Sequence, residues 1–316
     1  MRRVALIYNP ASGQHSSRRK ASIDKAVAVL QNAGIEAEAL ETLAPGSAGV
    51  QAEEAVRRGC DTIIACGGDG TAHEILQNLV GTNVALGVVP LGTANALAAN
   101  LGLRSSPAKA VRKLLTAHPV RLPVGKISYR DTSGVMRSRY FTVAAGVGPD
   151  ALFISRLDPD LKQRLGYLLY LIEAFRVWTT HSFPLFEAAF VEREGAEVRV
   201  EKISQLLAVR IRNFGGAIRN FVPGATLHND NLRLVAFKTR SHWCYFRFLI
   251  AALFGRQSFN DEIELLDAVS VECRPCDDSS PQIFTEADGE LLGNLPVRIE
   301  IVPQAITLLI PPNAQP

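Results

Sequence analysis

The sequence lacks any run of apolar residues near the ~18 that a membrane-spanning helix requires. Its start offers no obvious export signal either: Met1-Arg2-Arg3 is followed by the short apolar stretch Val4 to Tyr8, against the roughly 7–15 residues of a signal core. These absences predict a chain that stays in the cytoplasm and does not cross a membrane by helices. Cysteine is scarce and odd in number: Cys60, Cys66, Cys244, Cys273 and Cys276 suit a reduced protein better than a disulfide framework. Cys273 and Cys276 form one Cys-x-x-Cys, but no second pair or histidine set follows at zinc spacing, which favours isolated thiols. Charge of one sign is also in short supply. A net charge of +3 is too small to argue for nucleic acid, although it is compatible with weak attraction to anionic lipid or phosphate. No repeat or low-complexity tract interrupts the chain.

What is present is a globular composition, 47% hydrophobic and 21% charged over 316 residues, enough for two domains. Through residue 120 or so, continuous apolar runs at 4–8, 62–66 and 84–89, with an alternating run at 35–42, are separated by helical patterns at about 17–32, 47–58 and 71–80. Asn32-Ala33-Gly34 supplies a C-cap to the first helix. Apolar strands alternating with helices indicate a parallel sheet covered on both faces, hence a doubly wound α/β domain. From about Gly125 the pattern changes. A hairpin is expected around Asp131-Thr132-Ser133-Gly134, then a long helix at 156–178, strands at 185–192, 197–201, 206–212, 232–237 and 262–271, and a second helix at 241–254. Many short strands with Gly, Pro and Asn turns predict a β-sandwich. The expected division is 1–123, completed by 303–316, and 124–302.

Three glycine-bearing turns fall where strands of the first domain end: Asn9-Pro10-Ala11-Ser12-Gly13, Gly67-Gly68-Asp69-Gly70-Thr71 and Pro90-Leu91-Gly92-Thr93-Ala94-Asn95. Ligands of open α/β sheets bind beyond the carboxyl ends of the strands, and Gly67, Gly68 and Gly70 let backbone amides approach an anion. Thr71 then opens a helix, whose N-terminus favours phosphate. Any one such turn is adequately explained as a tight connection; three at one sheet edge point to a site. The standard phosphate motifs fail, since Gly87 to Ala94 has Walker A glycine spacing without its lysine, and no Gly-x-Gly-x-x-Gly follows the first strand.

Asn9-Pro10-x-Ser12-Gly13, Gly67-Gly68-Asp69-Gly70-Thr71 with Glu74, Pro90-x-Gly92-Thr93-x-Asn95 and the late Asp288-Gly289-Glu290 occur in the order seen in diacylglycerol kinase catalytic domains. The chain resembles the diacylglycerol kinase and sphingosine kinase superfamily over nearly its whole length. That resemblance implies a lipid kinase of phospholipid biosynthesis that uses ATP and Mg2+, with ATP in the cleft between a nucleotide domain and a β-sandwich. It implies that Thr42, Gly67, Gly68, Asp69, Gly70, Thr71, Ala72, His73 and Thr93 line the ATP site, with Asn9, Gly13, Gly92, Asn95 and Glu290 contributing. Asp288 would be the general base and Asp69 would lie beside the phosphates. A carboxylate accepting the proton of the acceptor hydroxyl is worth roughly 10²–10⁴-fold. Asp-Gly is also a favoured hairpin dipeptide, so Asp288 reads both as a turn residue and as a base presented at a hairpin tip.

Where the family often carries Asp-Asp-Gly or Asn-Asp-Gly at a structural Mg2+ site, this chain has His228-Asn229-Asp230-Asn231, leaving Asp230 as the one candidate metal ligand there. The apolar stretches 165–178 and 243–254 are expected to pack one face on the sandwich and to offer the other, with its aromatics and arginines, to a membrane surface. Expected partners are thus a lipid substrate and, transiently, a membrane, with no nucleic acid; a homodimer is allowed. The acceptor itself is unread, and an NAD kinase-like enzyme or a non-catalytic nucleotide-binding regulator remain the alternatives.

Overall fold

A computed structural model describes residues 1–13, 19–131, 133–151, 182–214, 221–277, 281–312 and 314. The expected helix at 156–178 lies outside them. The chain forms two units: Met1–Val124 with Pro303–Pro316, and Gly125–Val302.

In the first unit, strands β1 (Arg3–Tyr8), β2 (Glu36–Glu41), β3 (Thr62–Gly67) and β4 (Ala85–Pro90) alternate with helices α1 (Arg19–Asn32), α2 (Ser47–Arg57) and α3 (Asp69–Leu79). Two further helices follow, α4 (Ala96–Asn100) and α5 (Pro107–Leu115). The strands are parallel in the order β2-β1-β3-β4, with Val4 opposite Thr62 and Thr62 opposite Ala85. The sheet gains a fifth parallel strand from the end of β15 (Glu290–Ile310), where Thr307 and Leu308 pair with Ala85 and Leu86. Every residue of β3 is buried, as a central strand with both faces covered must be. α1 packs on α5 and α2 on α3. The sequence pattern did not reveal α4 and α5, although Pro107 at the start of α5 and its buried Ala110, Val111 and Leu114 are helix signals.

The second unit is antiparallel. β5 (His118–Arg130) runs into it and forms a hairpin with β6 (Met136–Phe141). β7 (Ala144–Val147) lies between β10 (Gln205–Val209) and β14 (Phe284–Ala287), and β11 (Leu232–Phe237) and β12 (Ile263–Ala268) extend the sheet from β10. From β15 a second run passes through β13 (Ser270–Pro275) and β8 (Phe186–Val191) to β9 (Arg199–Ile203). Phe141, Phe186, Phe190, Ile203, Leu234 and Val271 belong to the buried core, which completes a β-sandwich. Helix α6 (His242–Leu253) follows β11, capped by Ser241, whose side chain accepts from the Cys244 amide. The single strand expected at 262–271 is two strands. Val269 donates to Val191 O, and beyond it the partners change from β11 to β8 and β15.

Candidate active site

In the first unit the carboxyl ends of the parallel strands meet along one edge. The amide of Asn9 donates to Cys66 O (3.1 Å), that of Thr42 to Tyr8 O (2.9 Å) and that of Leu91 to Gly67 O (2.8 Å), so the three turns leave the sheet side by side. Tyr8 donates its hydroxyl to Glu41 (2.6 Å), a bond that with burial pushes the phenol up to about 12 and fixes the edge beside Thr42. Asn9 accepts from the Ala11 amide (2.8 Å) through its side chain, closing an Asx turn.

The glycines are there because backbones touch. A Cβ on Gly92 would stand 2.5 Å from Gly68 Cα, and one on Gly13 would stand 2.4 Å from Leu91 O, where φ is also +69°. Gly67 accommodates the Thr71 side chain, which would meet a Cβ there at 2.3 Å. Gly70 differs: it is exposed, and nothing lies within 4 Å of the Cβ it lacks. Helix α3 starts at Asp69, two residues before the position its periodicity predicts, and its N-cap Gly68 supplies no side-chain hydrogen bond. Its first amides are therefore unsatisfied by a cap, and with the helix dipole they favour an anion. A phosphate group fits this glycine cradle.

The other expected residues divide by what they touch. Asn95, at φ +49°, spends both ends of its side chain on Gly92: Oδ1 accepts from the amide (2.9 Å) and Nδ2 donates to the carbonyl (2.6 Å). It holds the loop's shape. Asp69 accepts from the Leu97 amide (3.3 Å), tying the α3 turn to α4, and Glu74 accepts from Gly46 (2.9 Å) and Ala48 (3.1 Å) at the start of α2. Ala72 and His73 are buried in α3, whereas Thr93 is exposed in its turn.

In the second unit Asp288 and Gly289 take φ of +48° and +84°, the left-handed pair of a two-residue turn joining β14 to β15. Glu290 is the first residue of β15. The turn is held by its own carboxylate. Asp288 Oδ2 accepts from the Thr142 amide (3.0 Å) and Oδ1 from Val143 (2.9 Å) and Ala144 (3.1 Å), while the Asp288 amide donates to Ala144 O (2.8 Å).

Two carboxyls that sequence reasoning missed lie behind this turn. Glu286 is buried, pairs in register with Gly146 and accepts from the Gly289 amide (2.8 Å). Asp150 packs over Gly146, where a Cβ would stand 1.4 Å from its Oδ2. Gly146 inside the apolar strand β7 was the available signal, since glycine there marks a close approach. Both Asp150 oxygens are shut off from solvent, although the residue as a whole keeps some exposed surface. The Gln205 side chain and nearby amides lean toward them without closing a bond of normal geometry. Burial pushes Asp150 up to about 7, and burial first, then the Asp150 charge, pushes Glu286 well above its ordinary range.

The sign of the resulting pH dependence follows from that shift. Below 3.8 both folded and unfolded Asp150 hold the proton; between 3.8 and about 7 only the folded chain does, so stability is lost as pH rises through that window. Three units at about 1.4 kcal/mol each set an upper bound of about 4 kcal/mol. Urea unfolding should give a lower free energy at pH 8 than at pH 5, and Asp150→Asn should flatten the difference. An unchanged slope in that variant would assign the dependence elsewhere.

Asp230 does not fit a divalent cation. The buried guanidinium of Arg210 already occupies the loop, donating to Asn229 O (2.7 Å), Asn231 O (2.7 Å) and Leu227 O (2.9 Å). Burial pulls Arg210 down to about 10, partly offset by the Asp230 charge. The carbonyls of this loop face a positive charge, and among the described residues no group of three or more His, Cys, Asp or Glu is placed to hold a metal by itself.

Comparison with known proteins matches both halves. A sequence model of the diacylglycerol kinase catalytic domain covers residues 3–127, and one of the YegS C-terminal NAD kinase beta sandwich-like domain covers residues 142–310. The diacylglycerol kinase of Bacillus subtilis strain 168 is 27% identical over 299 residues, 94% of this chain and 92% of that protein. The crystal structure of a proposed diacylglycerol kinase of Bacillus anthracis strain Sterne superposes with TM-score 0.78 at 22% identity, covering 99% of this chain and 98% of that one. Yeast NADH kinase shares the fold more distantly, with TM-score 0.54 and 10% identity over 98% of this chain and 83% of its own.

Proposed function

Because the chain belongs to the diacylglycerol kinase superfamily, carrying its catalytic domain followed by the YegS-type sandwich, we propose that it is a lipid kinase that transfers the γ-phosphate of ATP, with Mg2+, to a hydroxyl of a lipid such as diacylglycerol. The observation that carries this reading is the approach of Gly68 to Gly92 at the sheet edge, which opens a side-chain-free cradle before the uncapped start of α3. Phosphoryl transfer depends on positioning and charge neutralisation, and such a cradle supplies the first. Mg2+, when bound with the nucleotide, neutralises phosphate charge, and Asp69 is the carboxylate of this turn that would hold it. Asp288, held by three amides, accepts the proton of the acceptor hydroxyl. The proposed setting is cytoplasmic, in phospholipid biosynthesis, with transient contact at a membrane.

Transfer from γ-labelled ATP to lipids in mixed micelles, with NAD in a parallel tube, tests the reading. Label in the organic phase supports it. Label on NAD favours the NAD kinase alternative that the yeast fold likeness keeps in view, and no transfer to either leaves a nucleotide-binding regulator.

Two glycine variants test the cradle. Gly92→Ala should cost about 1–3 kcal/mol of stability, since its Cβ would meet the Gly68 backbone at 2.5 Å and the Asn95 Oδ1 at 3.1 Å. Gly70→Ala meets open space inside a helix and should leave stability equal or up to about 1 kcal/mol higher. If phosphates lie there, it should still raise the KM for ATP tenfold or more. Steady-state kinetics and urea unfolding on the same samples separate the two effects, and an unchanged KM would remove Gly70 from the site.

A further inference from the structure

Helix α6 has two unlike faces. Inward, Tyr245 stacks on Phe237 (centroids 4.6 Å apart) and on Phe183 (4.1 Å), with its hydroxyl bonded to Ser204 (2.8 Å), and Phe248 and Ala252 are buried. Outward, Trp243 is 61%, Ile250 39% and Phe254 73% exposed. These positions, with Phe246 and Arg247 between them, recur at helical spacing and make one stripe. Trp243 stacks on Phe246 (5.5 Å), and the stripe borders a concavity of about 340 Å³ that Arg247 and Arg256 also line. Among the described residues no carboxylate lines it and neither arginine has an ion-pair partner.

Folding has placed large apolar side chains in water when the same helix had an inner face to receive them. Surface patches of this kind mark interaction sites. The composition selects the partner: indole and phenyl rings favour the water–hydrocarbon boundary, and unpaired guanidinium groups beside them favour anionic headgroups. We propose that the outer stripe of α6, formed by Trp243, Ile250 and Phe254 with Arg247 and Arg256, is the surface on which the protein docks onto an anionic phospholipid bilayer. The choice of a lipid surface rests on the lipid-kinase reading above; the stripe itself is independent of the catalytic residues.

The test uses the full chain and vesicles of phosphatidylglycerol with phosphatidylcholine, against phosphatidylcholine alone. The sequence has two tryptophans, Trp178 and Trp243, so a Trp178→Phe background makes Trp243 the sole indole reporter. Its emission should move to shorter wavelength on anionic vesicles and much less on neutral ones. In sedimentation, Arg247→Gln with Arg256→Gln should weaken binding about fivefold per arginine. Trp243→Ser with Phe254→Ser should weaken it at least tenfold. Both double variants should keep their melting temperature and, on lipid dispersed in detergent, turnover within about twofold, since neither touches the proposed catalytic groups. Unchanged vesicle affinity in both, or an unmoved Trp243 emission, would overturn the proposal. Altered self-association with unchanged vesicle binding would overturn it too, in favour of a second copy of the chain. Because vesicle binding is read without phosphate transfer, failure of docking and failure of the kinase reading are told apart.

Discussion

Asp288→Asn should lower turnover by about two to four orders of magnitude while ATP affinity stays within a few-fold of the parent. The expectation joins two properties of one side chain. As a base, the carboxylate must face the acceptor with a fixed lone pair, and the amides of Thr142, Val143 and Ala144 fix it at 2.9–3.1 Å. Asparagine keeps the shape but presents an NH2 where an amide N–H points, so one of these contacts becomes donor against donor. That mismatch should also cost about 1–3 kcal/mol of stability. Urea unfolding gives the folded fraction and single-turnover kinetics give the chemical step. Activity that falls only in step with the folded fraction would assign Asp288 to holding the turn and nothing more.

Arg210→Met should destabilise the second unit by about 3–5 kcal/mol, since several buried acceptors lose their donor at about 1–3 kcal/mol each. Methionine fills much of the space, but Leu227 O, Asn229 O and Asn231 O lose their donors together. The Arg210 amide, which methionine retains, bonds Val143 O in the segment whose amides hold Asp288, so a shift of this strand when the guanidinium is lost should lower turnover beyond what unfolding explains. Denaturant midpoints should shift with the slope unchanged. The same geometry predicts that a chelator leaves the melting temperature of the parent protein unaltered, since the Arg210 guanidinium already satisfies carbonyls of this loop. A chelator-sensitive melt would refute that substitution of arginine for metal.

The parts of this fold legible in the sequence are those with a one-dimensional pattern. β3 reads as a strand because both sheet faces are covered and all six residues are buried. The three glycine turns are legible because close backbone approach leaves no alternative residue, as at Gly92. Alternation through residues 262–271 cannot reveal that the strand partner changes at Val269, so two strands read as one. The carboxylate cradle was invisible for another reason: Thr142, Val143 and Ala144 act through backbone amides, which every residue but proline possesses. Arg210 sits in an apolar strand-like run, and the carbonyls of Leu227, Asn229 and Asn231 that receive its guanidinium come from a loop that no local pattern links to it.

Strand β15 carries a consequence for how the protein is made. Thr307 and Leu308 supply the neighbour of β4, yet the whole second unit is synthesised between Leu86 and that pairing. On the ribosome the first unit can assemble β1 to β4 early, but its sheet stays unfinished until Thr307 and Leu308 emerge, after the whole second unit. During that interval β4 is a bare edge whose free amides and carbonyls invite other nascent chains. Pairing across so long a separation is also slow, because a large loop must close before any contact rewards it. Refolding from denaturant should therefore be rate-limited by arrival of the final strand, and yield should fall as protein concentration rises.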